Sequence, residues 1–344
     1  MDRPKLLLHY YVQLQPGTQG EDTLLFRSTR RTVTIQGKHL AGFVESVMPL
    51  LDGEHTLAQI HDATASLFSF DSLNECLKLL ANERLLAEST DIPRDEVRQP
   101  QWNFCHELGA SAAEVRGKLA GSRVAVIGGS GPSAEVCMRL AAAGVGEIRI
   151  VDPWPAGPSF DYFAPCPTGS PETRVERYTA PIESDDGLAQ AIAGSHFAIC
   201  CVDAGLIAIA YRLNRVANAS GMPWTSATMA GFEAIAGPTV FPYRTACYLC
   251  YRMRSIACTD APPEQFAFEK MLDQRRTDDS GVRENLTFAA GIAGNMAALE
   301  AFYVLTGVNP SILRGRIAVV DLLTLSTTKH TILRKPGCPV CGVQ

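Results

Sequence analysis

The stretch VAVIGGSGPSA, residues 124–134, most constrains what this chain can fold into. An apolar run passes directly into glycines, and a helical pattern, GPSAEVCMRLAAAGV, follows. A continuous apolar run of this kind reads as a strand buried on both faces, the kind that parallel sheets use. The glycine turn after such a strand is the usual cradle for a phosphate. The neighbouring segments repeat the alternation. SAAEVRGKLAGS is helical, GEIRIVD is a second strand, HFAICCVDA is a third, and LIAIAYRLNRVANAS is the helix after it. This predicts an α/β fold with a doubly wound, Rossmann-like parallel sheet. Two stretches interrupt it, the proline-rich 153–172 and the polar 259–284, both expected as long loops.

The first ninety residues follow a different pattern. LLLHYYVQLQPG ends in a Pro-Gly turn, and TLLFRS and RRTVTIQG follow as further strands. Three helical stripes come next, over Phe43–Leu51, Leu57–Phe68 and Leu73–Leu80, with Asp71 placed as an N-cap. Residues 1–90 therefore read as a small winged-helix-like βββααα module, and most residues of its stripes as core. The polar, proline-containing stretch after it marks a linker over 91–104. Residues 105–344 remain for the α/β domain.

Composition narrows the class of function. With 46% hydrophobic and 19% charged residues and a formal net charge of −5, the chain has no bulk attraction for nucleic acid or an anionic membrane. The N-terminus is a poor signal peptide, and no apolar run reads as a membrane span, so a cytoplasmic location is expected. The seven histidines are scattered and form no catalytic constellation.

Eleven cysteines without a secretory signal favour metal over disulfides. Cys247 and Cys250 in TACYLC, and Cys338 and Cys341 in PGCPVCG, are two CxxC pairs. Each tight turn offers one edge of a metal tetrahedron, and two edges make a closed, four-cysteine zinc site. A closed site leaves no position for water or substrate, so it is structural. Here it would staple the end of the chain to the middle of the domain.

A glycine loop, an Asp ending each of the next two apolar strands, and then CxxC…CxxC form a specific order. It resembles the E1-like (ThiF/MoeB) adenylating superfamily over residues 105–344. The stretches TSATMAGFEAIAGPTVFPYRTACYLCYRMR and LRKPGCPVCG resemble one branch, the E1-like partner proteins of azoline-forming, YcaO-type cyclodehydratases. Many members of that branch carry an N-terminal winged-helix module that recognises a leader peptide, which fits the reading of residues 1–90.

The resemblance implies a nucleotide site at Gly128, Gly131, Asp152 and Asp203, with Asp152 on the ribose and Asp203 linked to a metal ion. The sequence departs from the adenylating pattern around it. Two loop glycines are serines, Ser130 and Ser133, and Pro132 supplies no N–H. Phe163 stands where those enzymes place a catalytic Arg, and Phe160 where they place an Asn. No lysine occurs between Lys118 and Lys270. Phosphoryl chemistry relies on fixed cations, so the loop reads as a relic or a weak nucleotide site, and ATP use is left open. The two CxxC pairs and the altered loop also exclude a plain NAD-dependent dehydrogenase.

The function implied is capture of a precursor-peptide leader by strand addition at the third strand, Arg31–Gln36, beside the helix at about Asp71–Ala81. Arg31, Val33, Ile35, Leu73, Leu77 and Leu80 are the candidate peptide-binding residues. The chain would then present the peptide to a separate YcaO-type cyclodehydratase, acting more as a non-catalytic component of that complex than as an autonomous enzyme. One alternative is an ATP-dependent adenylating enzyme acting on the peptide itself. Another is an activator of a ubiquitin-like or sulfur-carrier protein, against which the leader module and missing cations speak. The resemblance also allows a homodimer.

Overall fold

The computed structural model describes residues 1–344 except 8–9, 18–20, 92–96, 129–130, 153–171, 179–180, 203–206, 276–285 and 343–344. The chain forms two compact units, Met1–Gly117 and Lys118–Gln344.

In the first unit a short strand, β1 (Pro4–Leu6), pairs antiparallel with β5 (Leu86–Glu88). Strands β2 (Tyr11–Gln15), β3 (Glu21–Arg27) and β4 (Thr32–Lys38) form an antiparallel sheet in that order, which leaves β4 at an edge. Helices α1 (Leu40–Leu50), α2 (Leu57–Thr64) and α3 (Phe70–Asn82) follow. Thr56 and Gln59 close a reciprocal capping box on α2. Ser69, rather than Asp71, caps α3, because its hydroxyl reaches the Ser72 N–H at 3.2 Å. Phe26, Val47, Ile60, Leu73, Leu77 and Leu80 meet in one core.

Helix α4 (Gln99–Glu107) begins inside the stretch expected as a linker and runs past its end, with Trp102 and Cys105 buried one turn apart. The boundary between the units lies further on, within helix α5 (Ala112–Ala120).

The second unit is built on an eight-stranded sheet. Five strands, β6 (Arg123–Ile127), β7 (Glu147–Val151), β8 (Arg174–Tyr178), β9 (Phe197–Val202) and β10 (Trp224–Ala230), run parallel in the order β8-β7-β6-β9-β10. The sheet is mixed rather than wholly parallel. Strands β11 (Glu233–Ala236), β12 (Arg316–Asp321) and β13 (Thr327–Thr331) continue it antiparallel from β10. Helices α7 (Asp185–Ile192), α8 (Ile207–Ser220) and α9 (Tyr248–Ala257) pack on one face. Helix α6 (Gly131–Ala143) packs against α11 (Thr287–Thr306), which also covers β10 and β11.

Two further features differ from the sequence expectation. Part of the polar 259–284 stretch forms helix α10 (Pro262–Arg275), docked by polar contacts that hydrophobic periodicity does not register. Its buried Glu269 pairs with the half-buried Arg252 of α9, and its Asp273 accepts the Ala208 N–H of α8 at 3.2 Å. Helix α11 is long and apolar enough to cross a membrane by length and composition, yet half of it is buried inside the domain. The other expected loop, 153–172, falls almost wholly outside the described residues.

Glu300 of α11 is fully buried and accepts hydrogen bonds from the Ser311 hydroxyl and from the N–H groups of Ile312 and Leu313, the latter two at 2.9 and 3.2 Å. A buried donor left without a partner costs about 1–3 kcal/mol. Glu300→Ala strands several such donors and should lower the unfolding free energy by at least ~2 kcal/mol, read as a lower denaturant midpoint.

Candidate functional site

The two CxxC pairs meet. Cys247 and Cys250 lie at the start of α9, and the C-terminal segment brings Cys338 and Cys341 against them, all four buried. Their sulfurs lie within 4.8 Å of one another. Individual separations are 3.9 Å for Cys247–Cys250, 3.7 Å for Cys247–Cys338 and 3.5 Å for Cys250–Cys341. These are far longer than a disulfide of ~2.05 Å. They match the ~3.8 Å edge of a tetrahedron with ~2.3 Å metal–sulfur bonds.

Backbone amides are aimed at the sulfurs. The Lys335 N–H reaches Cys250 Sγ at 3.3 Å. Burial pushes the Cys338 thiol up, but the Cys341 and Val340 N–H groups more than offset this and bring it to about 7. Burial holds the Cys247 and Cys341 thiols above the ordinary range. Four converging soft donors with amides turned toward them fit a thiophilic metal ion in a closed site.

The glycine loop sits at the topological switch point. The chain leaves β6 for β7 and β8 on one side and returns at β9 on the other, so the crevice opens beyond the carboxyl ends of β6 and β9. Gly128 has φ 129°, and a Cβ there would lie 2.7 Å from the Cys201 carbonyl oxygen. Its N–H donates to the Val151 carbonyl at 3.0 Å. Gly131 is required for a different reason, since a Cβ would come 2.9 Å from that of Ala290 on α11. Asp152 is buried at the end of β7. Asp203 lies outside the described residues, as do Gly129 and Ser130. Of the described residues at the crevice, Gly128, Gly131–Glu135 and Asp152, none is cationic and two are acidic.

In the first unit, β4 is the open edge expected for the third strand. The Ser28 N–H bonds the Arg31 carbonyl at 2.9 Å, which sets the hydrogen-bonding phase of the β3–β4 ladder. Val33 and Ile35 therefore turn their backbone groups toward β3, while Thr32, Thr34 and Gln36 turn theirs outward. Leu73 and Leu80 are fully buried, Leu77 nearly so, and Val33 joins the same core. Ile35 is half-buried against it. Arg31 is engaged internally: it donates to the Tyr10 hydroxyl at 3.0 Å and to the Glu83 carbonyl, and pairs with the Glu83 carboxylate at 3.6 Å. This joins the start of β4 to the end of α3. On the α3 face shared with Glu83 lie Leu79, Cys76 and Ser72, one, two and three turns back. Leu79 is 46% exposed, and helical phase relative to Glu83 was the signal that could have singled it out.

Residues 169–340, half of the chain, match the ThiF family, and the chain belongs to it. It is 26% identical over 254 residues to the molybdopterin-synthase adenylyltransferase of Escherichia coli K12, covering 65% of this chain and 88% of that one. It is also 26% identical over 247 residues to the SAMP-activating enzyme E1 of Haloferax volcanii, covering 67% and 83%. The fold is shared with the microcin C7 biosynthetic enzyme MccB, solved with N-formylated MccA, at TM-score 0.71 and 14% identity over 99% of this chain and 100% of MccB. The heterocyclase TruD superposes at TM-score 0.69 and 18% identity over 99% of this chain, which spans 43% of TruD.

Two outcomes follow from this geometry. The purified protein should carry one thiophilic divalent ion per chain by elemental analysis. Cys338→Ser should lose that ion and unfold at markedly lower temperature, since binding energy at such a site is folding energy. Gly128→Ala should destabilise the second unit by more than the ~1 kcal/mol usual for a glycine replacement, because a side chain must enter both a left-handed backbone and the β9 carbonyl. Equal thermal midpoints for Gly128→Ala and the parent would refute that account.

Proposed function

We propose that the protein holds the leader of a ribosomally made precursor peptide on β4 and presents the peptide to a separate YcaO-type cyclodehydratase for azoline formation. One observation carries this reading: an unpaired strand edge, with outward backbone groups at Thr32, Thr34 and Gln36, starts where Arg31 pairs with Glu83 at the end of a helix that exposes Leu79. An extended peptide gains main-chain hydrogen bonds on such an edge and seats alternate side chains against the helix. In this reading residues 1–90 act as a winged-helix-like leader module, and Val33, Leu73, Leu77 and Leu80 form its floor rather than open pockets. Zinc occupies the four-cysteine site as a structural ion. The crevice, with no described cation, is a relic or weak nucleotide site, and activation of the peptide amide belongs to the partner. Work on a precursor peptide alongside a partner enzyme suits a cytoplasmic protein.

A second reading has its own support. The chain corresponds to the whole length of MccB, which is solved with ATP and with MccA. That favours an E1-like enzyme that adenylates a peptide directly. Pyrophosphate release separates the two. The presenting role expects none from the protein with ATP and precursor peptide. Robust release by the protein alone, abolished by Asp152→Ala, would establish the adenylating role instead.

Thr34→Pro removes an outward N–H without touching the β3 ladder, whereas a proline at Val33 would break that ladder. Thr34→Pro and Leu79→Glu should each weaken leader binding at least ~10-fold, or ~1.4 kcal/mol, with unchanged circular dichroism. Leader affinity equal to the parent in both folded variants would place the peptide elsewhere.

A further inference from the structure

Asn214 of α8 is 1% exposed. Its Oδ1 accepts the N–H of Tyr248, the residue after Cys247, at 3.0 Å, and lies 3.3 Å from Asn218 Nδ2. Asn218 Nδ2 also donates to the Asn214 carbonyl at 2.6 Å. A backbone N–H can only donate, so the oxygen of the Asn214 amide must face Tyr248, which fixes the orientation of the group. Its Nδ2 is left buried without a hydrogen-bond partner, beside the turn that carries Cys247. A neutral thiol is a weak acceptor, but a metal-bound thiolate is a strong one.

We propose that Asn214 is a positioning residue of the metal centre, whose Nδ2–H donates to the Cys247 thiolate while its Oδ1 holds the turn that presents that ligand. The proposal rests on the tetrathiolate reading above. Four thiolates around a divalent ion carry a net charge of −2, and each N–H···S bond draws off part of it. Cys250 and Cys338 receive theirs from the backbone of the C-terminal segment. Cys247 receives one from the Cys250 N–H and, in this proposal, a second from a side chain on a different element. Outer-shell donors of this kind tune metal affinity by one to two orders of magnitude in other proteins. The same contact ties the metal centre to α8, the first helix after β9 and the crevice.

Asn214→Asp tests this because it keeps an acceptor for the Tyr248 N–H but replaces the donor with a carboxylate beside the thiolates. In the full-length, zinc-loaded protein, release of the ion to a chromophoric chelator should be at least tenfold faster than in the parent. With cobalt(II) in the site, the sulfur-to-metal charge-transfer band should move to longer wavelength, which a purely structural role for Asn214 would not cause. A variant-free check uses cadmium-113 in the parent. One Asn214 side-chain proton should couple to the metal through the sulfur, with the Lys335 amide as internal reference. Coupling at Lys335 but none at Asn214, or parental release rates and an unmoved band in Asn214→Asp, overturns the proposal while leaving the metal site intact. A parent that takes up no zinc, cobalt or cadmium overturns both.

Discussion

Four buried sulfurs drawn from two distant turns place a demand on the rest of the second unit. Neutral thiols attract one another only weakly, and the described residues after β13 form no strand or helix of their own to hold them in place. What binds them is the meeting of Cys338 and Cys341 with Cys247 and Cys250, helped by Arg334, which donates to the carbonyls of Tyr243 and Thr245. The start of α9 is fixed by the same junction. Around it pack Tyr248, Trp224, Tyr211 and Tyr251, whose rings contact one another edge-on or tilted. Amide hydrogens turned toward sulfur are the arrangement that thiolates, rather than thiols, require. The junction thus has the form of a site that could hold a metal ion, and the aromatic core packs around it.

The crevice at the switch point keeps the form of a nucleotide site more fully than its charge. Gly128 is needed by the close approach of β6 to β9, and Gly131 by the packing of α6 on α11. Both glycines answer to packing whether or not a phosphate ever approaches. Geometry of this kind persists because the sheet depends on it, while cations on surrounding loops can be lost without harm to the fold. That asymmetry explains how a member of the ThiF family can retain the loop while its described crevice residues are neutral or acidic.

The first unit solves a different problem. Its apolar stripes are consumed by a small core, which leaves few side chains for recognition. What remains available is backbone: the outward N–H and C=O groups of an edge strand. Arg31 bridges that edge to the end of α3, which ties strand and helix together.

Much of this was legible in the sequence. Apolar runs and glycines located β6, β7, β9 and the switch-point loop but not the parallel strands β8 and β10, CxxC spacing located both halves of the four-cysteine cluster, and alternation located β4, because each of these signals is local and periodic. The polar docking of α10 left no such trace, since Arg252–Glu269 and Asp273–Ala208 are contacts between segments distant in sequence. Ser69 outcompeted Asp71 as the α3 cap through backbone geometry that composition does not encode. Whether Leu73, Leu77 and Leu80 formed a groove or a core could not be read from a stripe, because both present the same periodicity. Only the tertiary structure decided it, by placing the sheet against them. It likewise decided which amides of β4 face outward, because hydrogen-bonding phase is set by the hairpin that closes at Ser28 and Arg31, and it brought Asn214 to the Tyr248 amide, next to Cys247, through the packing of two helices that the sequence keeps far apart.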